Sequence, residues 1–160
     1  MIRTKFPITI EIDDKPFSIV VAEKMSQAQQ SELDEVTDKY KSDYEKKDTL
    51  QASLSEAIEE FEINKHILAD GKVIDRVIVM FEQKALNKTI FNLKKEITEL
   101  DRNIVGLNKA IAELFEKRYD LSVSGTDAAI LKKEISDLGI GFQAIFNELG
   151  ILIKEAKEKK

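Results

Sequence analysis

Leu86, Leu93, Leu100, Leu107, Leu114 and Leu121 recur every seven residues, and Ile90, Ile97, Ile104 and Ile111 stand between them in the same register. Ile at a and Leu at d of a heptad form a narrow apolar seam that must be buried against another helix. The seam therefore restricts this chain to folds in which long helices pair. Its chemistry leaves the source of the second helix open. Ile at a with Leu at d suits parallel pairs between chains, whereas a preceding helix that ends in Asp70-Gly71 suits an antiparallel pair within one chain.

That preceding segment has helical periodicity from Ser26 to Ala69. Ser26 and Gln29 have the spacing of a capping box. Leu33, Tyr40, Leu54, Phe61 and Leu68 share one row, but Lys47 falls on it, and Thr37 and Gln51 fall on the neighbouring one, so the row is weak in its middle. Because no Gly or Pro marks Lys46-Lys47-Asp48, the segment reads as one helix of roughly 60 Å. The alternative is a break there, with Asp48 and Gln51 capping a new helix. Gly71 is expected to end the helix in the left-handed conformation. The run Val77 to Phe81 fits either a buried strand or a helix whose face is Ile74, Val77, Ile78, Phe81 and Ala85. A long first helix would leave a strand there without a partner, so the helix is expected, with a stutter between Phe81 and Leu86.

The N-terminus obeys a different period. Phe6, Ile8, Ile10 and Ile12 alternate with polar residues, Asp13-Asp14-Lys15-Pro16 marks a turn, and Phe17, Ile19 and Val21 alternate again. This is a β-hairpin with one apolar face, and Pro7 points to an edge strand. Two strands alone are marginal, so the face must cap the helices or augment a partner's sheet. At the other end, Ser122 to Asp127 is a small polar linker ending in residues that cap helices. Leu131, Ile135, Leu138, Phe142, Ile145, Leu149 and Leu152 then continue the heptad logic. Gly139, Gly141 and Gly150 each weaken such a helix by about 1 kcal/mol relative to Ala, so packing must compensate or the helix breaks near Gly139.

The expected architecture is mainly α: an N-terminal β-hairpin (1–22), a long antiparallel helical hairpin (23–121) turning near 70–71, a linker (122–127) and a third, C-terminal amphipathic helix (128–160), forming one cooperative domain. A net charge of −5 and a pI near 5.1 argue against a nucleic-acid partner. The chain has no cysteine. No stretch reads as a membrane span, since Gly139 to Ile153 is too short and carries Gln143, Asn147 and Glu148. The start MIRTKFPITIEIDD lacks a basic region followed by an apolar one, so the expected location is cytoplasmic.

No residue set reads as catalytic, cofactor-binding or metal-binding. His66, with Glu62 and Asp70 one turn to either side, lacks the spacing of a helical metal site and reads as a solvent-facing histidine. Ser122-Val-Ser-Gly-Thr reads as a capping linker in preference to an anion site. Surplus apolar positions are more informative. Phe91, Val105 and Tyr119, beside Ala112 and Phe115, widen the second helix, while Ile140, Phe146, Ile151 and Ile153 lie off the main row of the last one. They are the candidate protein interface, with self-association or a protein partner expected through Phe146 to Ile153. The expected class is a non-enzymatic helical interaction protein: an assembly chaperone, adaptor or structural subunit. The alternative is an acidic inhibitor that occupies another protein's groove.

Overall fold

The computed structural model describes residues 4–23 and 25–159. The chain forms β1 (Lys5–Ile12), β2 (Lys15–Ala22), α1 (Gln27–Asp70), α2 (Val73–Ser122), β3 (Val123–Ser124), α3 (Ala128–Asp137) and α4 (Phe142–Glu158). It is mainly helical, with the N-terminal antiparallel hairpin, two long helices packed against each other, and further C-terminal helices. Two compact units divide it: residues up to Thr37 together with those from Asn108 onward, and Asp38–Leu107.

The first unit holds the sheet. Asp13 and Asp14 both have positive φ, 49° and 62°, the backbone of a two-residue turn whose twist matches the flanking strands. The register this sets pairs Phe6 with Val21, Ile8 with Ile19 and Ile10 with Phe17. All of these, with Ile12, are buried, as the alternation requires. The helices of the chain itself cover them: Phe115 and Tyr119 from α2, Leu131 and Ile135 from α3, and Ile145, Phe146, Leu149 and Ile153 from α4. β1, with Pro7, is the edge strand expected.

Three details of this unit correct the sequence reading. The 122–127 segment is more than a linker, because Val123 and Ser124 add a third strand to β2. Asp127 makes no side-chain cap for α3. Its carboxylate instead accepts the Ser18 N–H of β2 at 2.7 Å, occupying a donor that the two-residue β3 is too short to reach. The 128–160 helix is two helices. Gly139 has φ +66°, Ile140 N–H donates to the Ile135 carbonyl and Gly139 N–H to that of Ser136. This is a Schellman stop, which a left-handed glycine permits. Breaking there lets α3 and α4 bury separate apolar faces against the same core.

At the start of α1, the Ser26 hydroxyl accepts from Gln29 N–H and the Gln29 side chain accepts from Ser26 N–H, each at 3.2 Å. The capping box is thus reciprocal. The helix then continues unbroken through Lys46–Asp48 to Asp70.

In the second unit α1 and α2 form an antiparallel hairpin. Val79, Leu86, Ile90, Leu93, Ile97, Leu100, Ile104 and Leu107 are buried or half-buried, so the seam is satisfied within the chain. It runs backward from Leu86 through Gln83 to Val79 in unbroken steps of three and four, and the expected stutter is absent. On α1 the facing row is Tyr40, Lys47, Leu50, Leu54, Ala57, Phe61, Asn64 and Leu68. Lys47 lays its stem along the seam and pairs with Asp101 at 2.5 Å. That hydrogen bond, with the nearby carboxylate charge, raises its pKa. Gly71 is not left-handed. A Cβ there would stand 2.4 Å from the Ile67 carbonyl oxygen, so close backbone approach is what requires glycine. Leu33 and Leu114 line a common crevice, which puts Leu121, two turns further, at the start of α1, where no seam residue of α1 remains among the described residues. Leu121 is accordingly 63% exposed, the one seam residue left out.

These positions separate two substitutions. Leu100→Ala should lower unfolding stability in urea by about 2–5 kcal/mol through the lost methylenes and the cavity. Lys47→Leu should leave it unchanged or raised, because an ion pair this accessible contributes at most about 1 kcal/mol.

Candidate functional site at the tip of the helical hairpin

The first turns of α2 carry Val73, Ile74, Val77, Ile78, Met80 and Phe81, all more than half exposed, and Phe81 is 73% exposed. Helical geometry explains this. Val79 and Gln83 take the seam positions toward α1, so at 100° per residue the other apolar residues fall on the far side of the helix. The segment is helical, as expected, but the face Ile74-Val77-Ile78-Phe81 points away from the partner helix. Ile63 on α1 is also more than half exposed.

Beside this row, His66, Ile67, Asp70, Gly71, Asp75, Ile78 and Val79 line an open groove of about 590 Å³ at the turn. Arg76 donates to the Ala69 carbonyl at 3.3 Å, holding the last turn of α1 against the first turn of α2. His66 is exposed. Glu62 pairs with Lys65 at 2.9 Å. Among the described residues no His, Asp or Glu side chains group in threes to hold a metal. The groove offers apolar contact with polar edges, the chemistry of binding a side chain or a helix.

One turn above the groove the seam carries two amides. Asn64 and Gln83 are both buried, and Gln83 Nε2 donates to the Phe61 carbonyl at 3.0 Å. Asn64 Nδ2 and Gln83 Oε1 have no hydrogen-bond partner among the described residues.

The interface residues expected from sequence are dispersed. Phe91 and Val105 are exposed on the outer side of α2, at 68% and 69%, and Ile151 is exposed on α4. Tyr119, Phe146 and Ile153 are buried in the chain's own core and Ile140 is half-buried against it, so the structure withdraws these four from a free surface. For Phe146 and Ile153 the off-row position has a local explanation: α4 is short and lies against the sheet as well as beside α2, so more than one of its faces is covered. The tip is what the sequence reading missed. Its signal was present in the run Val77 to Phe81, too continuous for a single neighbouring helix to cover.

Among the described residues no helix is long and apolar enough to cross a membrane. Comparison with protein-family models, curated proteins and solved structures gives no match.

Burial also changes the chemistry of Tyr119. Its hydroxyl donates to the Ala128 carbonyl at 2.7 Å, and desolvation, with the Asp120 carboxylate adding to it, raises its pKa to about 12. The folded state holds this proton more tightly than the unfolded chain, whose tyrosines ionise near 10. The stabilisation is therefore complete below pH 10 and lost between about 10 and 12. Ultraviolet titration of the folded protein should show a late tyrosinate step near pH 12 that disappears in Tyr119→Phe.

Proposed function

We propose that this chain is a non-enzymatic interaction protein, of the assembly-chaperone or adaptor kind, that contacts apolar segments of other proteins with the tip of its helical hairpin. The single observation that carries the reading is the continuous exposed row Val73, Ile74, Val77, Ile78, Met80 and Phe81. At roughly 700 Å² of apolar surface the row exceeds the largest patch of an ordinary monomer, about 300–600 Å². A helix with so much unburied apolar area costs solubility unless binding uses it. The rest of the hairpin supports this role mechanically: a paired seam holds the row at the end of two helices that stabilise each other.

Suppression of aggregation of a thermally unfolded reporter enzyme tests the proposal. The wild type should suppress it at stoichiometric ratios. Val77→Glu with Phe81→Glu should remove most of the protection while leaving helix content nearly unchanged, because both side chains are exposed in the chain and Glu is a good helix former. Equal protection by the double variant would disprove tip binding.

A further inference from the structure

We infer that a second copy of this chain covers the tip when no other protein does, as an antiparallel two-fold pair of α2 N-terminal segments with Val77 near the axis. This rests on the proposed role of the tip as a contact face and names what occupies it at rest.

Area is the first argument. The six residues expose roughly 700 Å² of apolar surface, so two copies bury at most about 1,400 Å² of it between them, against the range of about 1,200–2,000 Å² that specific stable interfaces occupy. Symmetry is the second. A two-fold contact uses one patch twice, so that patch must be self-complementary. With Val77 on the axis, Ile74 of one copy lies beside Phe81 of the other on one flank and Val73 beside Met80 on the other flank, so β-branched residues meet the two largest. Charge is the third. The tip carries Asp70 and Asp75 against Lys72 and Arg76, so two identical faces approach without a like-charge penalty. The next positions up the same row are Lys84 and Lys88, and antiparallel pairing brings Lys84 to the turn of the other copy, where Asp70 lies. An anionic lipid surface is the poorer match, because Glu56, Glu59, Glu60 and Glu62 stand on α1 just behind the tip.

The chain has no cysteine, so a single introduced thiol reports the geometry directly. Helices packed about 9–10 Å apart, with Cα atoms about 2.3 Å from each axis, leave facing Cα atoms on the two-fold roughly 4.4–5.4 Å apart, inside the usual disulfide range of about 4.4–6.8 Å. Sedimentation equilibrium of the wild type should show mass rising at micromolar concentration from 18.2 kDa to twice that value. Phe81→Glu should stay at the monomer mass with unchanged helix content. Under mild oxidation V77C should form a covalent dimer. V105C, still more exposed on α2 but outside the overlap, should form little. A wild type that stays monomeric up to hundreds of micromolar, or a dimer in which V105C cross-links in place of V77C, overturns the proposal. The aggregation assay separates the two readings. A monomer that still protects the reporter removes the dimer and keeps tip binding, whereas a V77C-linked dimer opened by reductant that protects nothing keeps the dimer and removes the chaperone role.

Discussion

Burial of the Ile and Leu row of α2 against α1 is the contact on which the helical hairpin depends. Helices of 44 and 50 residues gain little from propensity alone, since helical stability in proteins comes mostly from packing of an apolar face. α1 is the weaker partner, with Lys47 and Asn64 on its inward row. Lys47 reaches across the seam to Asp101, while Asn64 and Gln83 each keep one side-chain atom without a partner among the described residues. A polar residue in a seam characteristically specifies register at some expense of stability.

Seam and tip are consequences of one helix having two apolar faces. Over most of α2 the outer side is polar, with Lys84, Lys88, Lys95 and Arg102 among its residues, and only isolated Phe91 and Val105 interrupt it. In the first three turns the outer side is apolar, while the inward row that α1 covers holds Val79 and Gln83. The groove at the turn follows from the same geometry: Gly71 lets the backbone close tightly on Ile67, leaving Ile78 and Ile67 to line an open notch.

The first unit solves a separate problem, the stability of a three-stranded sheet with one apolar face. α3 and α4 supply the cover, and the Gly139 stop lets each approach from its own direction. Arg118 lies over the Phe146 ring at 4.3 Å, and the surrounding burial lowers its pKa. Lys132 holds Asp120 at 2.7 Å and Glu116 at 3.4 Å, tying α3 to the end of α2. The side of β2 away from β1 is covered by β3 and by the Asp127 carboxylate, and on the β1 edge Pro7 removes a donor.

Period and local chemistry by themselves determined much of this protein. Alternation in Phe6 to Val21 identified the buried face of the hairpin, Ser26 and Gln29 the start of α1, the heptads the seam, and the absence of Gly or Pro at 46–48 the continuity of α1. These are readable because each depends on neighbours within a few residues. Tertiary structure alone decided what covers each face. Ile74, Val77, Ile78 and Phe81 form as good an apolar stripe as any in the chain, yet they are exposed, because Val79 and Gln83 continue the heptad register that α1 already occupies. Tyr119, Phe146 and Ile153 lie off their rows, yet they are buried, because a sheet distant in sequence packs across the end of α2 and over α4. Periodicity states which residues share a side of a helix; whether that side meets protein or solvent depends on partners from distant parts of the chain, and no local pattern encodes their position.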